Sequence, residues 1–304
     1  MSFPIGIGII TYNRREILSG TIDQVRALSG QPNAALVVAD DGSGDGTLAM
    51  LRDKQVPVIT GVNMGIAWNK NRALFLLSHM LGCETVILLE DDTRPNRAGW
   101  EAEWMKAARR WGHANLAGEW MAEHFLSGSG TADDPVRSAM VTAQCSVYSR
   151  AALTFGGYLD PRFRGYGHEH VEHTARLVRV GYGGTEERID GEGRVRFFLI
   201  KGDVTVVSSR SFHDTAQEQR NLQLAQRIMG EQGYRSPWGD DNELRQFRSE
   251  IESAMIDGAE RFRLPPAEPG AFAARPATPL AAGSLATGPR AAGRGFFGRL
   301  FRRS

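Results

Sequence analysis

A chain of 304 residues with 41% hydrophobic and 23% charged residues has the composition of a folded globular protein, long enough for one large domain with appendages. Residues 264–304 hold six arginines against one acidic residue, so the formal charge of +1 hides a net acidic body. That sign argues against nucleic-acid binding, because a phosphate backbone demands clustered positive charge. No run of about 18 apolar residues offers a spanning helix, and the N-terminal Met1-Ser2-Phe3-Pro4 lacks the basic start of a signal peptide. Cys83 and Cys145, the two cysteines, sit in no ligand spacing and read as reduced core thiols of a cytoplasmic protein.

The first ninety residues alternate strand and helix patterns, which points to an α/β architecture with a mainly parallel sheet flanked by helices. Ile5, Ile7 and Ile9 alternate with Gly6 and Gly8, giving a strand with one branched face and one bare face for close packing. Arg14 to Leu28 reads as a helix, 35–39 as a buried strand, Thr47 to Lys54 as a short helix and Val56 to Thr60 as a third strand. Ala67 to Leu81 is the next helix. The fourth strand, Thr85 to Leu89, runs straight into Glu90, Asp91 and Asp92. Further on, the pattern predicts a helix over Trp100 to Arg110, a strand over Ala139 to Tyr148, a helix over Val171 to Val180 and one or two strands between Val195 and Val207. Helices over Asp214 to Met229 and Asn242 to Asp257 follow, the second with Leu244, Phe247, Ile251 and Met255 along one face.

In open α/β sheets ligands gather beyond the carboxyl ends of strands. Here four successive strand ends are polar: Thr11-Tyr12-Asn13-Arg14, then Asp40-Asp41-Gly42-Ser43-Gly44-Asp45-Gly46-Thr47, then Asn63-Met64-Gly65, then Glu90-Asp91-Asp92. Adjacent carboxylates at a strand end suit an oxygen-ligated Mn²⁺ or Mg²⁺, which neutralises a diphosphate. Without a cation they repel one another, unless the turn is simply solvated.

Taken together these motifs resemble, in order and spacing, those of the family 2 glycosyltransferases. The likeness extends through Gly156-Gly157-Tyr158-Leu159-Asp160 and Phe163 into Gly165-Tyr166-Gly167-His168-Glu169-His170, Glu172, Arg176 and Gly181-Tyr182. That stretch looks like the family's GGFD…YGED…R…GY segment and covers the chain to about residue 215. The resemblance implies a GT-A, Rossmann-like fold and a nucleotide-sugar donor of the UDP or dTDP type. It implies a donor half over about 1–95 and an acceptor half over about 96–215, followed by a helical extension over 216–262.

Carried across motif by motif, the resemblance puts Thr11, Tyr12, Asn13 and Arg14 at the nucleoside and diphosphate. Asp40 would accept from the base, with Asp41 beside it, and Asn63, Gly65 and Lys70 would flank the donor. Asp91 joins that set. Similarity to N-acetylglucosaminyltransferases with an EDD motif makes Asp92 the first metal ligand, with Glu90 and the late His213 as further candidates. An inverting transfer needs a base for the acceptor hydroxyl. The family carries Glu-Asp where this chain has Glu169-His170, so Glu169, His170 and Glu172 all stand as candidates. The same departure would also suit a catalytically silent sugar-nucleotide-binding protein. A sugar-1-phosphate nucleotidyltransferase fits less well, since no Gly-rich phosphate loop follows the first strand.

The acceptor is not named by any motif. Residues 263–304 are rich in Pro, Ala and Gly and read as a flexible tail. Phe296, Phe297, Leu300 and Phe301 form an apolar face among Arg294, Arg299, Arg302 and Arg303, which suits peripheral contact with the inner face of a membrane or with a protein partner.

Overall fold

The computed structural model describes residues 4–189, 192–207, 214–231 and 233–253. His213, Met255 and the basic tail lie outside the described residues. The first half follows the alternation of the sequence: β1 (Ile5–Thr11), α1 (Arg15–Leu28), β2 (Ala35–Asp40), α2 (Thr47–Asp53), β3 (Val58–Thr60), α3 (Ile66–Leu74) and β4 (Thr85–Glu90). Its strands are all parallel, β3-β2-β1-β4, with Ile7 of β1 beside Leu36 on one side and Ile87 on the other. Being covered on both faces, they read as continuous apolar runs.

The alternation in β1 separates two cores. Ile5, Ile7 and Ile9 are buried with Leu18, Ile22 and Val25 of α1 and with Trp100 and Trp104, each isoleucine contributing roughly 2 kcal/mol on burial. Gly6 and Gly8 face the opposite layer, where a Cβ on Gly6 would stand 2.8 Å from Leu77 and one on Gly8 2.7 Å from Leu88. The bare face therefore lets α3 and its π-helical continuation, Phe75–Met80, lie directly on the strand.

The second half contributes β5 (Thr93–Pro95), α4 (Glu101–Trp111), β6 (His113–Leu116), β7 (Phe125–Ser127), β8 (Val136–Ser138), β9 (Cys145–Ser149), α5 (Arg150–Gly156) and α6 (Glu169–Arg179). After them come β10 (Gly184–Ile189), β11 (Glu192–Ile200), β12 (Val204–Val206), α7 (Thr215–Ile228) and α8 (Asp241–Ser253). The sheet continues β4-β9-β6-β11-β8-β7 with β10 also on β11, and β12 pairs with β5 in a separate ribbon. Beyond β4 the pairing is mixed: β9 runs antiparallel to both β4 and β6, while β6 and β11 are parallel.

The expected strand over Ala139 to Tyr148 is shorter. Only Cys145–Ser149 pairs with β4 and β6, and the segment before it bends to serve side chains from elsewhere, the Ala143 carbonyl accepting from Lys70 Nζ at 3.1 Å. Helices α7 and α8 pack onto the α3 side of the sheet: Phe247 and Ile251 join that core, and Trp68 Nε1 donates to Glu250 at 2.9 Å. Among the described residues no helix is long and apolar enough to cross a membrane.

Candidate active site

The carboxyl ends of β1, β2, β3 and β4 lie side by side because the strands are parallel and in register, Ile10 standing between Ala39 and Glu90 and Thr11 beside Asp40. Thr11 Oγ1 donates to Asp91 Oδ2 at 2.8 Å. Tyr12 is exposed. Asn13 adopts φ 51°, a left-handed conformation that Asn tolerates better than most side chains. It turns the chain toward the loop after β2, accepting from Gly44 N–H at 2.8 Å and donating its own N–H to Ser43 at 2.7 Å.

Asp40 is fully buried. Its Oδ2 accepts from Gly42 and Ser43 N–H at 3.2 and 3.1 Å and from Thr60 Oγ1 at 2.7 Å, while its Oδ1 is buried without a partner. With Oδ2 Asp40 closes an Asx-type turn, and Asp45 holds the starts of α2 and α1, accepting from Thr47 and Arg15 N–H at 3.1 and 2.9 Å. Asp41 points the other way. It accepts from Met64 and Gly65 N–H at 3.0 and 2.8 Å and from Arg72 at 2.9 Å, so it holds the loop after β3. Burial raises its pKa, against the pull of those donors.

Asn63 is exposed on that loop. The open face of Gly65, expected to lie near a donor, is filled by protein: at φ 94° a Cβ would stand 2.3 Å from Gly165 N, and Ile66 N–H donates to Gly165 O at 2.9 Å. This contact joins the two halves of the site. Asn71 clamps Leu159, accepting from its N–H and donating to its carbonyl, both at 2.9 Å.

Lys70 is buried, with Nζ 3.1 Å from Glu90 Oε1. Burial opposes its charge, but Glu90 and Glu169 outweigh it and raise the pKa. On the far side of the acidic turn Arg14 reaches both Asp91, at 2.7 Å, and Asp92, at 3.1 Å. Asp91 is nonetheless pushed up to about 7: burial dominates, Arg14 and Thr11 oppose it, and Asp92 and Glu90 add repulsion. Asp92 keeps Oδ1 buried and unpartnered, as does Arg14 with one guanidinium nitrogen.

Of the three base candidates, Glu172 is removed by its packing. It is fully buried, with Arg176 at 2.9 and 3.1 Å, and that guanidinium also donates to the carbonyls of Gly156 and Tyr158. A carboxylate so paired is taken up in holding the Gly156-Gly157-Tyr158 turn. Glu169 and His170 occupy the first turn of α6, with Glu169 Oε1 3.2 Å from His170 Nδ1. His173 is buried against Gly157 O at 2.9 Å and is turned to the protein interior.

A cavity of about 140 Å³ opens beside His170, lined also by Met140, Val141, Phe197, Tyr166, His168 and Glu218. The segment carrying Tyr166 is held from α7, where Asn221 Nδ2 donates to the carbonyls of Arg164 and Tyr166 at 2.8 and 2.9 Å. Sequence patterns missed this support, as they missed Thr60, Arg72 and Glu250. The buried ion pairs of Arg72 with Asp41 and Glu250, both at 2.9 Å, join residues too far apart in sequence for any motif.

Buried polar atoms without partners are rare in native structures. At this site they fall on Asp40, Asp92, Arg14 and Glu169. Among the described residues no group of three His, Cys, Asp or Glu side chains could hold a metal. The residues do fit a cation that takes Asp92 Oδ1 from the protein and the rest of its shell from diphosphate oxygens and water, as Mg²⁺ and Mn²⁺ commonly do.

Parallel strands ending in such a cradle, with a mixed second half, define an α/β fold of the GT-A kind. Residues 7–119 match the family model described as Glycosyl transferase family 2. Among solved structures it is similar to GalNAc-T7 with UDP, GalNAc and Mn²⁺ (14% identity, TM-score 0.55, 87% of this chain and 59% of that one). It is also similar to S. aureus TarS (14%, TM-score 0.52, 84% and 44%) and to S. aureus TarS 1-349 in complex with UDP-GlcNAc (13%, TM-score 0.50, 86% and 74%). These likenesses show the shared fold. A stretch of 99 residues is 26% identical to the acireductone dioxygenase of Phaeosphaeria nodorum, covering 31% of this chain and 57% of that protein. The chain thus spans little more than half the length of that protein and of GalNAc-T7.

Proposed function

We propose that this chain transfers a sugar from a nucleoside-diphosphate donor, most simply a UDP-sugar, to an acceptor hydroxyl with inversion at the anomeric carbon. The observation that carries this reading is the set of unpartnered buried atoms at adjacent strand ends: Asp40 Oδ1, Asp92 Oδ1 and an Arg14 nitrogen. Asp40 Oδ1 is an acceptor held rigidly by Thr60 and two backbone amides, suited to the imide N–H of uracil. Arg14 donates toward the diphosphate. A divalent cation held by Asp92 would supply charge neutralisation for the departing diphosphate. The acceptor oxygen attacks the anomeric carbon from the face opposite the diphosphate. As that bond forms, the carbon–oxygen bond to the diphosphate breaks, and the electron pair leaves with UDP. The fold shared with UDP-bound and UDP-GlcNAc-bound structures agrees with this choice of donor.

The test is turnover of a panel of UDP-, dTDP- and GDP-sugars by the purified protein with Mn²⁺, using NMR to read the anomer first released. An α-linked UDP-sugar giving a β product is expected. Retention of configuration would overturn the mechanism. Tight UDP binding with no release from any donor would favour a silent sugar-nucleotide-binding protein, the reading that the Glu169-His170 departure also allows.

A further inference from the structure

We propose that His170 Nε2 is the base that deprotonates the acceptor hydroxyl, that Glu169 is the positioning residue fixing the imidazole, and that the acceptor enters the cavity beside His170. This deepens the glycosyl-transfer reading and rests on it.

Three geometrical observations carry it. His170, His168 and Val171 all line the cavity, whereas Glu169, between them in sequence, does not. The Glu169 side chain is 3% exposed and that of His170 24%, and the remaining carboxylate oxygen of Glu169 is sealed from solvent. A hydroxyl arriving from the cavity therefore meets the imidazole and cannot reach the carboxylate without rearrangement. Finally, the contact of Glu169 Oε1 with His170 Nδ1 at 3.2 Å places the proton of the neutral ring on Nδ1. The lone pair is then on Nε2, which has no partner among the described residues. This division of labour, in which a buried carboxylate selects the tautomer of a histidine base, is the same that orients the histidine of hydrolase triads.

The surrounding charges agree. Burial would raise the pKa of Glu169, but the hydrogen bond and charge of His170, with Lys70 behind them, bring it down to about 2. A carboxyl lowered by a charged His170 is a firm anchor for the imidazolium that the transfer step leaves. The groups facing His170 are Glu169 and His168 on its own element, Glu218 from α7, Tyr166 from the preceding loop and the more distant Lys70 from α3. In the transfer step Nε2 takes the hydroxyl proton as the oxygen bonds to the anomeric carbon, and the imidazolium that forms is stabilised by Glu169. The cavity lining combines the apolar side chains of Met140, Val141 and Phe197, which belong to one hydrophobic cluster, with the polar groups of Tyr166 and Glu218. These surfaces suit a pyranose ring, with one apolar face and an edge of hydroxyls.

The experiment uses water as the acceptor and a mixture of UDP-glucose, UDP-galactose, UDP-GlcNAc and UDP-GalNAc with Mn²⁺, following release of free sugar. His170→Ala should lower the rate about 100-fold or more while UDP affinity stays within about twofold, and added imidazole should restore part of the loss. Glu169→Gln should cost less than His170→Ala and should not respond to imidazole. In parallel, two-bond ¹H–¹⁵N spectra of histidine-labelled protein at pH 8 should show His170, assigned by its loss in His170→Ala, with the proton on Nδ1. Turnover in His170→Ala close to wild type, a larger loss in Glu169→Gln, or a proton on Nε2 would overturn the proposal. Absence of both UDP binding and turnover in the wild type would instead overturn the transferase reading, and the base assignment with it.

Discussion

The two halves of the site differ in how their residues are placed. On the proposed donor side the residues end their own strands or follow within three positions, so parallel pairing of β1, β2 and β4 is enough to bring Thr11, Asp40 and Glu90 to one edge. On the acceptor side no strand delivers the key residues. Glu169 and His170 begin a helix, and the loop before it is held by Gly65 from the loop after β3 and by Asn221 from α7. A site built on strand ends has its positions written locally. A site built on a loop and a helix start needs long-range partners to exist at all, and those partners come from as far away as the C-terminal helices.

The largest effect that would sharpen this contrast is on the acceptor side. Arg176→Met removes the partner of Glu172 and leaves a buried carboxylate uncompensated, so it should destabilise the protein by about 3–5 kcal/mol, read from urea unfolding. A loss below about 1 kcal/mol would show that the Gly156-Gly157-Tyr158 turn does not depend on this pair. Smaller, and confined to the donor side, is the effect of Asp40→Asn. It replaces an acceptor-only group with one that can present N–H to the base, and should weaken UDP binding by roughly tenfold or more with little change in the unfolding midpoint. Unchanged UDP affinity would remove Asp40 from base recognition.

A third effect, small at any one pH step, is a pH slope. Because folding raises the pKa of Asp91 to about 7, the folded protein binds that proton more tightly than the unfolded chain. Its contribution is therefore full below about pH 4 and is lost as pH rises through about 7, with a slope of no more than about 1.4 kcal/mol per pH unit. Metal-free wild type should lose stability across that window and Asp91→Asn should lose less. Identical pH profiles would place the titration elsewhere.

How much was legible follows the same division. The order of β1 to β4, the two faces of β1, and the gathering of Thr11, Arg14, Asp40 and Asp92 at the strand ends were readable, because period-two alternation and strand-end chemistry are local, whereas β3 begins two residues later than expected, at Val58. Asp41 and Gly65 were harder. Both carry the family pattern, yet their contacts are to Arg72 and to the Gly165 backbone, and sequence spacing cannot distinguish a residue that touches a ligand from one that holds the loop beside it. The shortened β9 had the same cause, since apolar residues 139–143 look strand-like while their backbone is bent toward Lys70 and the cavity. Glu172 looked like a third base because a carboxylate in a motif shows its charge but not its burial. Nothing local marks Glu250 as the partner of both Trp68 and Arg72.

The central claim is that the cradle at the strand ends holds a nucleoside diphosphate together with a divalent cation on Asp92. It is tested most directly by calorimetric titration of UDP into wild type and Asp92→Asn, each in Mn²⁺ and in EDTA. Tight binding by wild type in Mn²⁺ is expected to fall sharply in EDTA, and Asp92→Asn should bind weakly under both conditions. Equal UDP affinity in all four titrations would contradict the account.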